Sequence, residues 1–363
     1  MKKFSKVIAL LLALVMLLAM LAGCGSSDKP SGNSNPPAGN SQSVSENPGD
    51  EGPTQEAMTL QWNYTPPANS EDEKWHKYVN ELIAEYTDGA ITYELYPGGA
   101  LGNEKVTLEG VVAGTINQGS ISANVVATVL PEFNALCLPF MFDDVEHFFR
   151  VISSDEYYEK MNEIANSVGL QYLGEEFCAP RTLATKSPVY TPADAKGQVM
   201  RVMDGTIYTD MMAAWGFGSS VIAYGEVYTA CQQGVVDGIE NSNDGNLSMK
   251  FYEVVDYSTC TYHVFHGQLT FMNLDLWNSL TADTQAAFRQ AWKETMDTSV
   301  QELPALYEDQ FNRMTEYGVN MIVPTEEQRQ EWIDASAPLY EKYRVVIGAD
   351  FYDWFVDLVD SYR

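Results

Sequence analysis

The hydrophobic positions of this chain alternate between strand-like and helix-like spacing. The segment 58–70 (MTLQWNYTPPANS) is typical of a strand that runs into a proline-rich loop, and 71–89 carries apolar residues at helical spacing until a glycine. The segment 90–102 (AITYELYPGGALG) returns to the strand pattern and ends in a glycine-rich loop. Because this rhythm continues for over two hundred residues, we expect an α/β fold with mainly parallel sheets.

The C-terminal part of the chain has a different pattern. Within 280–318, apolar side chains recur in steps of four and three: Phe288, Trp292, Met296, Val300, Leu303, Tyr307, Phe311 and Met314. This predicts one long amphipathic helix, in which Pro304 is expected to introduce a kink. At about 1.5 Å per residue, such a helix is longer than a small lobe is wide, so we expect it to brace two lobes.

The N-terminus is typical of a bacterial lipoprotein signal. Lys2, Lys3 and Lys6 precede an apolar run, VIALLLALVMLLAMLA, which is followed by small residues and Cys24. Residues 1–23 are therefore a predicted signal peptide, and Cys24 would carry lipid after cleavage. A single-pass membrane anchor is the alternative, since the run is about long enough to span a bilayer. The cleavage pattern and the absence of a basic stop-transfer flank favour the signal peptide.

Composition separates a linker from a globular region. Residues 24–57 are rich in Gly, Ser, Asn and Pro, so they cannot bury enough apolar surface to fold and are expected to form a flexible tether. From about Met58 onward the composition is that of a globular protein. The remaining length, roughly 305 residues, is more than one core usually holds, which predicts two lobes.

The charge balance bears on the partners of the protein. Acidic residues outnumber basic ones by 50 to 21, for a net charge of −29, and no clustered basic surface is visible. We therefore expect no nucleic-acid partner, because phosphate contacts need such a surface. A small anionic ligand remains possible, since screening over about 8 Å lets a few local cations in a cleft outweigh the general repulsion.

Signatures of catalysis and of metal binding are absent from the sequence. There is no G-x-S-x-G, G-x-x-x-x-G-K-[ST] or H-E-x-x-H, and we expect no cofactor. His263 and His266 are three apart on a strand-like segment, which points them to opposite faces and predicts no metal site. Buried free thiols are favoured over disulfides for the cysteines of the globular region, Cys137, Cys178, Cys231 and Cys260.

Close carboxylate pairs keep one catalytic alternative open. Asp237 and Glu240, or Asp143 and Asp144, could act as acid and base in a secreted glycoside hydrolase. With fifty acidic residues in the chain, however, such pairs arise by chance, so we expect a binding protein and not an enzyme.

Two arginines, Arg181 and Arg201, bracket a segment that is rich in apolar and turn-forming residues. A guanidinium matches a carboxylate with two parallel hydrogen bonds, and arginine is the usual choice where that recognition is partly buried. The two arginines could instead form internal ion pairs with some of the many acidic side chains. From spacing alone, internal ion pairs are the favoured interpretation.

Two blocks of sequence resemble the solute-binding proteins of TRAP transporters, the tripartite ATP-independent periplasmic systems. They are RTLATKSPVYTPADAKGQVMRV, at 181–202, and YGEVYTACQQGVVDGIENSNDGNLSMKFYEVVDYSTCTYH, at 224–263, and YPGGALGNE and LPFMFDD add weaker similarity. Many family members have proline where this chain has Met203 and Ser242. These departures put the identity of the bound solute in question.

The resemblance implies a fold and a set of boundaries. It implies a two-lobed, periplasmic-binding-protein-like α/β fold with hinge strands and a long C-terminal helix that braces both lobes. Lobe I would comprise 58–178 and 267–306, and lobe II would comprise 179–266 and 307–363.

The resemblance also implies a site and a function. An organic acid would bind in the cleft between the lobes, with Arg201 paired to its carboxylate, and would pass to a TRAP membrane permease. The protein would be lipid-anchored on the extracytoplasmic face of the cell membrane. A binding protein for an ATP-driven transporter or a receptor is the alternative. Besides Arg201, the implied ligand-binding residues are Arg181, Asn241, Tyr224, Glu240, Tyr64 and Ser122.

Overall fold

The computed structural model describes residues 54–175, 179–265 and 267–363. In these ranges, no helix combines the length and the apolar character needed to cross a membrane. Some predictions concern residues outside the described ranges: the signal peptide, the lipidated Cys24, the tether up to residue 53, Cys178 and His266.

The described residues form strands and helices in alternation over most of the chain. The strands are β1 (Met58–Asn63), β2 (Ile91–Tyr96), β3 (Gln118–Ser122), β4 (Leu170–Gly174), β5 (Arg181–Thr185), β6 (Val199–Val202), β7 (Gly218–Val221), β8 (Gly238–Ser242), β9 (Tyr257–Thr259), β10 (Gln268–Asn273) and β11 (Asn320–Ile322). The α-helices are α1 (Glu71–Tyr86), α2 (Glu104–Val112), α3 (Ala123–Val126), α4 (Val145–Ile152), α5 (Asp155–Asn166), α6 (Thr206–Ala214), α7 (Val227–Gln232), α8 (Asn243–Ser248), α9 (Leu274–Ser279), α10 (Ala282–Glu316), α11 (Glu326–Ile347) and α12 (Ala349–Ser361).

The strands form two sheets, in the orders β2-β1-β3-β10-β4 and β11-β9-β5-β8-β6-β7. In the first sheet β1 is parallel to β2 and β3, whereas β10 lies antiparallel between β3 and β4. In the second sheet β6 is parallel to β7 and β8, whereas β5 is antiparallel to β8 and β9. With the parallel pair of β9 and β11, five strand pairs in the described ranges are parallel and four are antiparallel. The sheets are therefore mixed, and the expectation of mainly parallel sheets holds only in part.

The antiparallel strands lie where the chain passes from one sheet to the other. It leaves the first sheet at the end of β4 and enters the second at β5, and it returns between β9 and β10. A strand that follows such a passage arrives from the other sheet and not from a crossover helix on its own sheet, so the rule for parallel crossovers does not apply to it.

Helix α10 confirms the prediction of one long C-terminal helix. It has 35 residues and continues through Pro304 as a single element. Near its start, Phe288 and Trp292 pack in a hydrophobic cluster with Leu60 and Trp62 of the first sheet. Near its end, Met314 packs against Leu247 of α8, beside the second sheet. Because one rigid helix contributes to the cores of both halves, it braces them.

The cysteines of the described ranges behave as predicted. Cys137, Cys231 and Cys260 are buried and carry free thiols. Burial raises the pKa of the Cys231 and Cys260 thiols, which makes them poor nucleophiles at neutral pH.

The first turn of α10 offers a direct test of what fixes its start. Thr281 precedes the helix, and its Oγ1 accepts a hydrogen bond from the backbone N–H of Thr284 at 3.2 Å. We expect Thr281→Ala to lower the free energy of unfolding by about 1 kcal/mol, because it leaves that N–H without an acceptor. Urea denaturation measures the change. Thr281→Ser, which keeps the hydroxyl, is the control, and an equal loss in both variants would contradict the capping role.

Candidate functional site

A cavity of about 270 Å³ lies between the two sheets. From the side of the first sheet it is lined by residues at the ends of strands and at the start of α2, and from the side of the second sheet by residues of four adjacent strands. The residues used below are Thr65, Asp72, Glu104, Ser122, Gln268, Arg181, Arg201, Tyr224, Asn241 and Asp244. Ligand sites of α/β proteins commonly lie at such strand ends.

Arg201 lies on β6, in the second sheet, and is 2% exposed. Its Nε–H donates to the carbonyl of Ile222 at 3.0 Å, which is the only hydrogen bond that the guanidinium makes to the described residues, and Nη1 is buried with no partner among them. The guanidinium also lies 5.7 Å from the ring centroid of Tyr224. A buried cation with unused donors is costly unless an acceptor reaches it.

The electrostatics of Arg201 agree with this geometry. Burial lowers the pKa of Arg201 to about 10, with Glu240 opposing the decrease and Arg181 adding to it. The guanidinium is therefore charged at neutral pH. An anion in the cavity would relieve both the desolvation and the repulsion from the neighbouring arginine.

Arg181, at the start of β5, is already paired. Its Nε–H donates to Oε1 of Glu240, and Nη2 donates to Oε2 at 2.9 Å and to the backbone carbonyl of the same residue at 3.2 Å. Arg181 is opposite Ser242 on the adjacent antiparallel strand β8, and Glu240 lies two residues before Ser242, so both side chains are on the same face of the sheet in diagonal positions. On the other side of the carboxylate, Nε2 of His263 lies 3.3 Å from Oε1.

The Arg181–Glu240 pair is almost fully removed from solvent, with exposures of 6% and 0%. Burial alone would raise the pKa of Glu240, but the charge of Arg181, the neighbouring imidazole of His263 and the hydrogen bonds from Arg181 hold it at about 2. Burial alone would lower the pKa of Arg181, and Glu240 raises it above its ordinary value. Glu240 is thus an anion that neutralises one of the two arginines.

The other predicted site residues are placed as follows. Asn241, Tyr224 and Ser122 line the cavity together with the two arginines. Glu240 is buried behind Arg181 and does not belong to the lining. Tyr64 also lies outside the lining, since its hydroxyl donates to Oε1 of Glu73 at 3.0 Å and its ring packs against a histidine. The next residue, Thr65, reaches the cavity in its place.

Several lining residues were not predicted from the sequence. Glu104 enters from the start of α2 and Gln268 from the start of β10, and Asp72 and Asp244 enter from the first turns of α1 and α8. Glu104 belongs to the glycine-rich block YPGGALGNE, whose similarity to the family was noted without a role for the glutamate. This block is the sequence feature from which Glu104 could have been predicted. Asp244 belongs to the block 224–263, which resembles the family, whereas Asp72 and Gln268 lie outside the blocks of similarity.

The carboxylates of the hydrolase alternative are not arranged as an acid and a base. Oδ2 of Asp237 accepts from the backbone N–H of Val199 at 2.8 Å, and Glu240 is held as an anion by Arg181. A carboxyl with a pKa of about 2 has no proton to donate near neutral pH. Among the described residues, no group of three or more His, Cys, Asp or Glu side chains could hold a metal ion.

Comparison with known proteins places this architecture. Residues 62–345 match the model of the bacterial extracellular solute-binding proteins, family 7. The chain belongs to this family, the solute-binding proteins of TRAP transporters. It is 31% identical over 285 residues to a solute-binding protein of Sulfitobacter sp. strain NAS-14.1, covering 78% of this chain and 84% of that one.

Two further family members extend the comparison. The chain is 26% identical over 299 residues to the C4-dicarboxylate-binding periplasmic protein DctP of Rhodobacter capsulatus, covering 81% of this chain and 89% of the relative. The crystal structure of a TRAP periplasmic solute-binding protein from Roseobacter denitrificans, with bound β-D-glucuronate, superposes with a TM-score of 0.77 at 26% identity. The superposition covers 83% of this chain and 99% of that one. The two-sheet fold of this TRAP solute-binding protein is therefore that of its family.

A pair of carboxyl groups joins the two halves at the edge of the cavity. Asp244 is 7% exposed, and its side chain is hydrogen-bonded to that of Asp72. Burial first, and then the negative charges of Asp72 and Glu71, raise the pKa of Asp244 well above its usual value, while Arg313 opposes the rise. A hydrogen bond between two carboxyl groups needs a proton on one of them, so this contact is favoured at low pH.

The Asp72–Asp244 pair predicts that neutralising Asp244 increases the stability of the fold, and that the increase depends on pH. Because the pKa is raised in the folded state, folding is favoured by protonation: the carboxyl destabilises the fold at pH values above its folded pKa, and this penalty fades as the pH falls. Asp244→Asn is expected to raise the melting temperature by several degrees at pH 8 and by less at pH 5. Calorimetry at both pH values measures this, with the exposed Asp297→Asn as control, and an equal gain at both values would contradict it.

Proposed function

We propose that this protein captures a small organic acid in the cavity and delivers it to the membrane permease of a TRAP transporter. The observation that carries the proposal is Arg201, a buried cation whose terminal nitrogen Nη1 has no partner in the described residues. In that position a carboxylate can accept two parallel hydrogen bonds from one guanidinium. Asn241 and Tyr224 line the same cavity and can add hydrogen bonds.

The ligands of related proteins support a carboxylate. The Roseobacter denitrificans structure contains β-D-glucuronate, a family member from Sulfurospirillum deleyianum contains succinate, and the Rhodobacter capsulatus relative is named for C4 dicarboxylates. These molecules differ in size and in hydroxyl content but share the carboxylate group. In this chain Arg201 is the residue suited to that shared group, and the other lining residues would select among acids.

We place the capture step in a hinge motion of two lobes, with lobe I formed by 58–178 and 267–306 and lobe II by 179–266 and 307–363. Three passages of the chain join them, of which two are the connections β4 to β5 and β9 to β10, and the third is α10. Arg201 comes from one lobe and Glu104 from the other. A ligand that touches both stabilises the closed form, which the permease would recognise.

The protein acts in this proposal outside the cytoplasm, held to the membrane by lipid on Cys24, and catalyses no reaction. Mass spectrometry of the protein purified from membranes would detect the lipid on an N-terminal peptide that starts at Cys24. Recovery of Cys24→Ala in the soluble fraction would support the anchor. Equal membrane association of wild type and Cys24→Ala would overturn it.

A thermal-shift screen of residues 54–363 against organic acids, neutral sugars and amino acids tests the binding function. The protein is first unfolded and refolded to remove any ligand carried through purification. An acid at 100 times its dissociation constant is expected to stabilise the protein by about 2.7 kcal/mol. Stabilisation by neutral sugars alone would overturn the proposal. Uptake of the identified acid by cells that express this protein with a TRAP permease, and not with the permease alone, tests delivery.

A further inference from the structure

Charged groups of both signs line the cavity. Arg181 is neutralised by Glu240, and Arg201 is a buried cation whose Nη1 has no partner among the described residues. The carboxyl groups of Glu104, Asp72 and Asp244 also line the cavity, as does the exposed Lys105. Arg201 is therefore the buried site for an anion, and the carboxyl groups offer hydrogen-bond acceptors.

Glu104 is the best placed of these acceptors. Its Oε1 accepts hydrogen bonds from Ser122 Oγ at 2.8 Å, Gln268 Nε2 at 2.5 Å and Thr65 Oγ1 at 3.3 Å. Each of these bonds reaches the same oxygen, and Oε2 accepts none from the described residues. The side chain is partly exposed and lines the cavity, so Oε2 is available to a ligand.

The three donors also fix the orientation of the carboxylate. Ser122 is the last residue of β3, and Gln268 is the first residue of the neighbouring β10, so both are held by the sheet. Gln268 is 8% exposed, and its Oε1 has no hydrogen-bond partner in the described ranges. Beside Glu104 lies therefore a second acceptor without a donor. Hydroxyl groups of a ligand would satisfy both, since a hydroxyl donates one hydrogen bond.

A second carboxylate on the ligand would meet the opposite situation. It brings only acceptors and negative charge, so it cannot donate to Oε2 of Glu104 or to Oε1 of Gln268, and it would lie close to the carboxyl group of Glu104. Like charges brought together in a poorly solvated site cost free energy, and the oxygens on both sides would stay without donors.

We propose that Glu104 is a specificity-determining residue, which selects acids with one carboxylate and several hydroxyl groups over dicarboxylates. The ligand carboxylate pairs with Arg201, and a ligand hydroxyl donates to Oε2 of Glu104 at the start of α2. This inference rests on the proposed function, because it takes the pairing of Arg201 with a carboxylate as given. It adds the chemical class of the acid and the residue that sets it.

Isothermal titration calorimetry with three probes tests the inference: D-galactonate and D-glucuronate, which carry one carboxylate and several hydroxyls, and succinate. For the refolded wild type, at least one sugar acid is expected to bind 100-fold or more tightly than succinate. Glu104→Gln is expected to weaken the sugar acid about 10- to 100-fold, the usual cost of losing a hydrogen bond to a charged group. The same variant is expected to bind succinate as well as the wild type or better.

Two further variants keep the test decisive. Glu104→Asp retains the charge but shortens the side chain, so it is expected to lose sugar-acid affinity and still reject succinate. Glu109→Gln, an exposed position on the same helix, is expected to change nothing. Melting temperatures of all variants establish that they are folded.

The outcomes separate this inference from the proposed function. If no acid binds the wild type, the carboxylate-capture function fails. If acids bind but succinate is preferred, or if Glu104→Gln weakens sugar acid and succinate equally, the function stands and the role of Glu104 is refuted. An amino acid such as L-glutamine that binds more tightly than either sugar acid would also refute it, since its ammonium group would then be the partner of Glu104.

Discussion

Replacing Arg201 is expected to abolish high-affinity ligand binding without unfolding the protein. The side chain is 2% exposed, and Nη1 has no partner in the described residues. Truncating one partner of a buried charge pair costs about 2–5 kcal/mol, which corresponds to a loss of affinity of roughly 30- to 4,000-fold. We expect Arg201→Met to fall in this range, because it keeps most of the side-chain volume and removes the charge.

The stability of the same variant should move little, or upward. In the unliganded protein, desolvation and repulsion from Arg181 make the charge of Arg201 unfavourable for stability. Among the described residues, its guanidinium donates one hydrogen bond, to the carbonyl of Ile222. A structural arginine would behave differently, since its loss would lower stability and affinity together. The combination of lost affinity and retained stability is therefore specific to a residue whose charge interacts with the ligand and not with the rest of the protein.

Calorimetric titration with an acid found by the screen, together with thermal unfolding, measures both quantities. Arg201→Lys retains the charge but not the planar fork, and we expect an intermediate loss of affinity. Lys196→Met removes an exposed cation from the turn before β6 and is expected to leave affinity unchanged. An unaltered dissociation constant in Arg201→Met would show that the acid binds elsewhere.

The sequence predicted elements well where one period dominates a long segment. Helix α10 was found from apolar residues in steps of three and four, because such a face must be buried against a core along its whole length. Residues at most of these positions are indeed buried, among them Phe288, Trp292, Leu303 and Met314. The order of strands in the sheets was not predictable in the same way. Strand β10 is inserted between β3 and β4, which depends on where the chain crosses between sheets and not on local pattern.

In the candidate site, too, the local sequence predicted some features, whereas others depend on how distant strands pair. The resemblance drew attention to Arg181 and Arg201 together, but it did not reveal that the first is paired with Glu240 and the second is not. That difference depends on the register of β5 against β8, which puts Arg181 and Glu240 in diagonal positions on the same face of the sheet. Tyr64 shows that a site residue predicted from sequence can be displaced by one position. Where β1 ends, the chain directs Tyr64 into the core and Thr65 to the cavity.

The second large effect is expected at the buried ion pair itself. In Glu240→Gln, Arg181 would remain buried, at 6% exposure, without the carboxylate that neutralises it and close to the charge of Arg201. Breaking a buried pair by removing one partner costs about 3–5 kcal/mol, because it leaves an uncompensated charge. We expect a loss of this size in the free energy of unfolding, measured by urea denaturation.

A double variant distinguishes the worth of the pair from the cost of breaking it. Arg181→Met combined with Glu240→Leu removes both charges and is expected to recover most of the loss, since well-packed apolar side chains often replace a buried ion pair without penalty. If the double variant were as unstable as Glu240→Gln, the loss would come from packing or from the contact with His263. The uncompensated charge would then not be its cause.

The pH dependence gives an independent check on the same pair. The pKa of Glu240 is held at about 2, below its ordinary value of 4.5, so the carboxylate stabilises the folded state at pH values above 4.5. This contribution is lost as the pH falls from 4.5 towards 2, because the unfolded chain takes up the proton first. In Glu240→Gln this part of the acid-induced loss of stability should disappear, which makes the curve of stability against pH flatter in that interval. Parallel curves for wild type and variant between pH 4.5 and 2 would mean that Glu240 has the same pKa in the folded and unfolded chain, and the buried pair would then contribute nothing to acid stability.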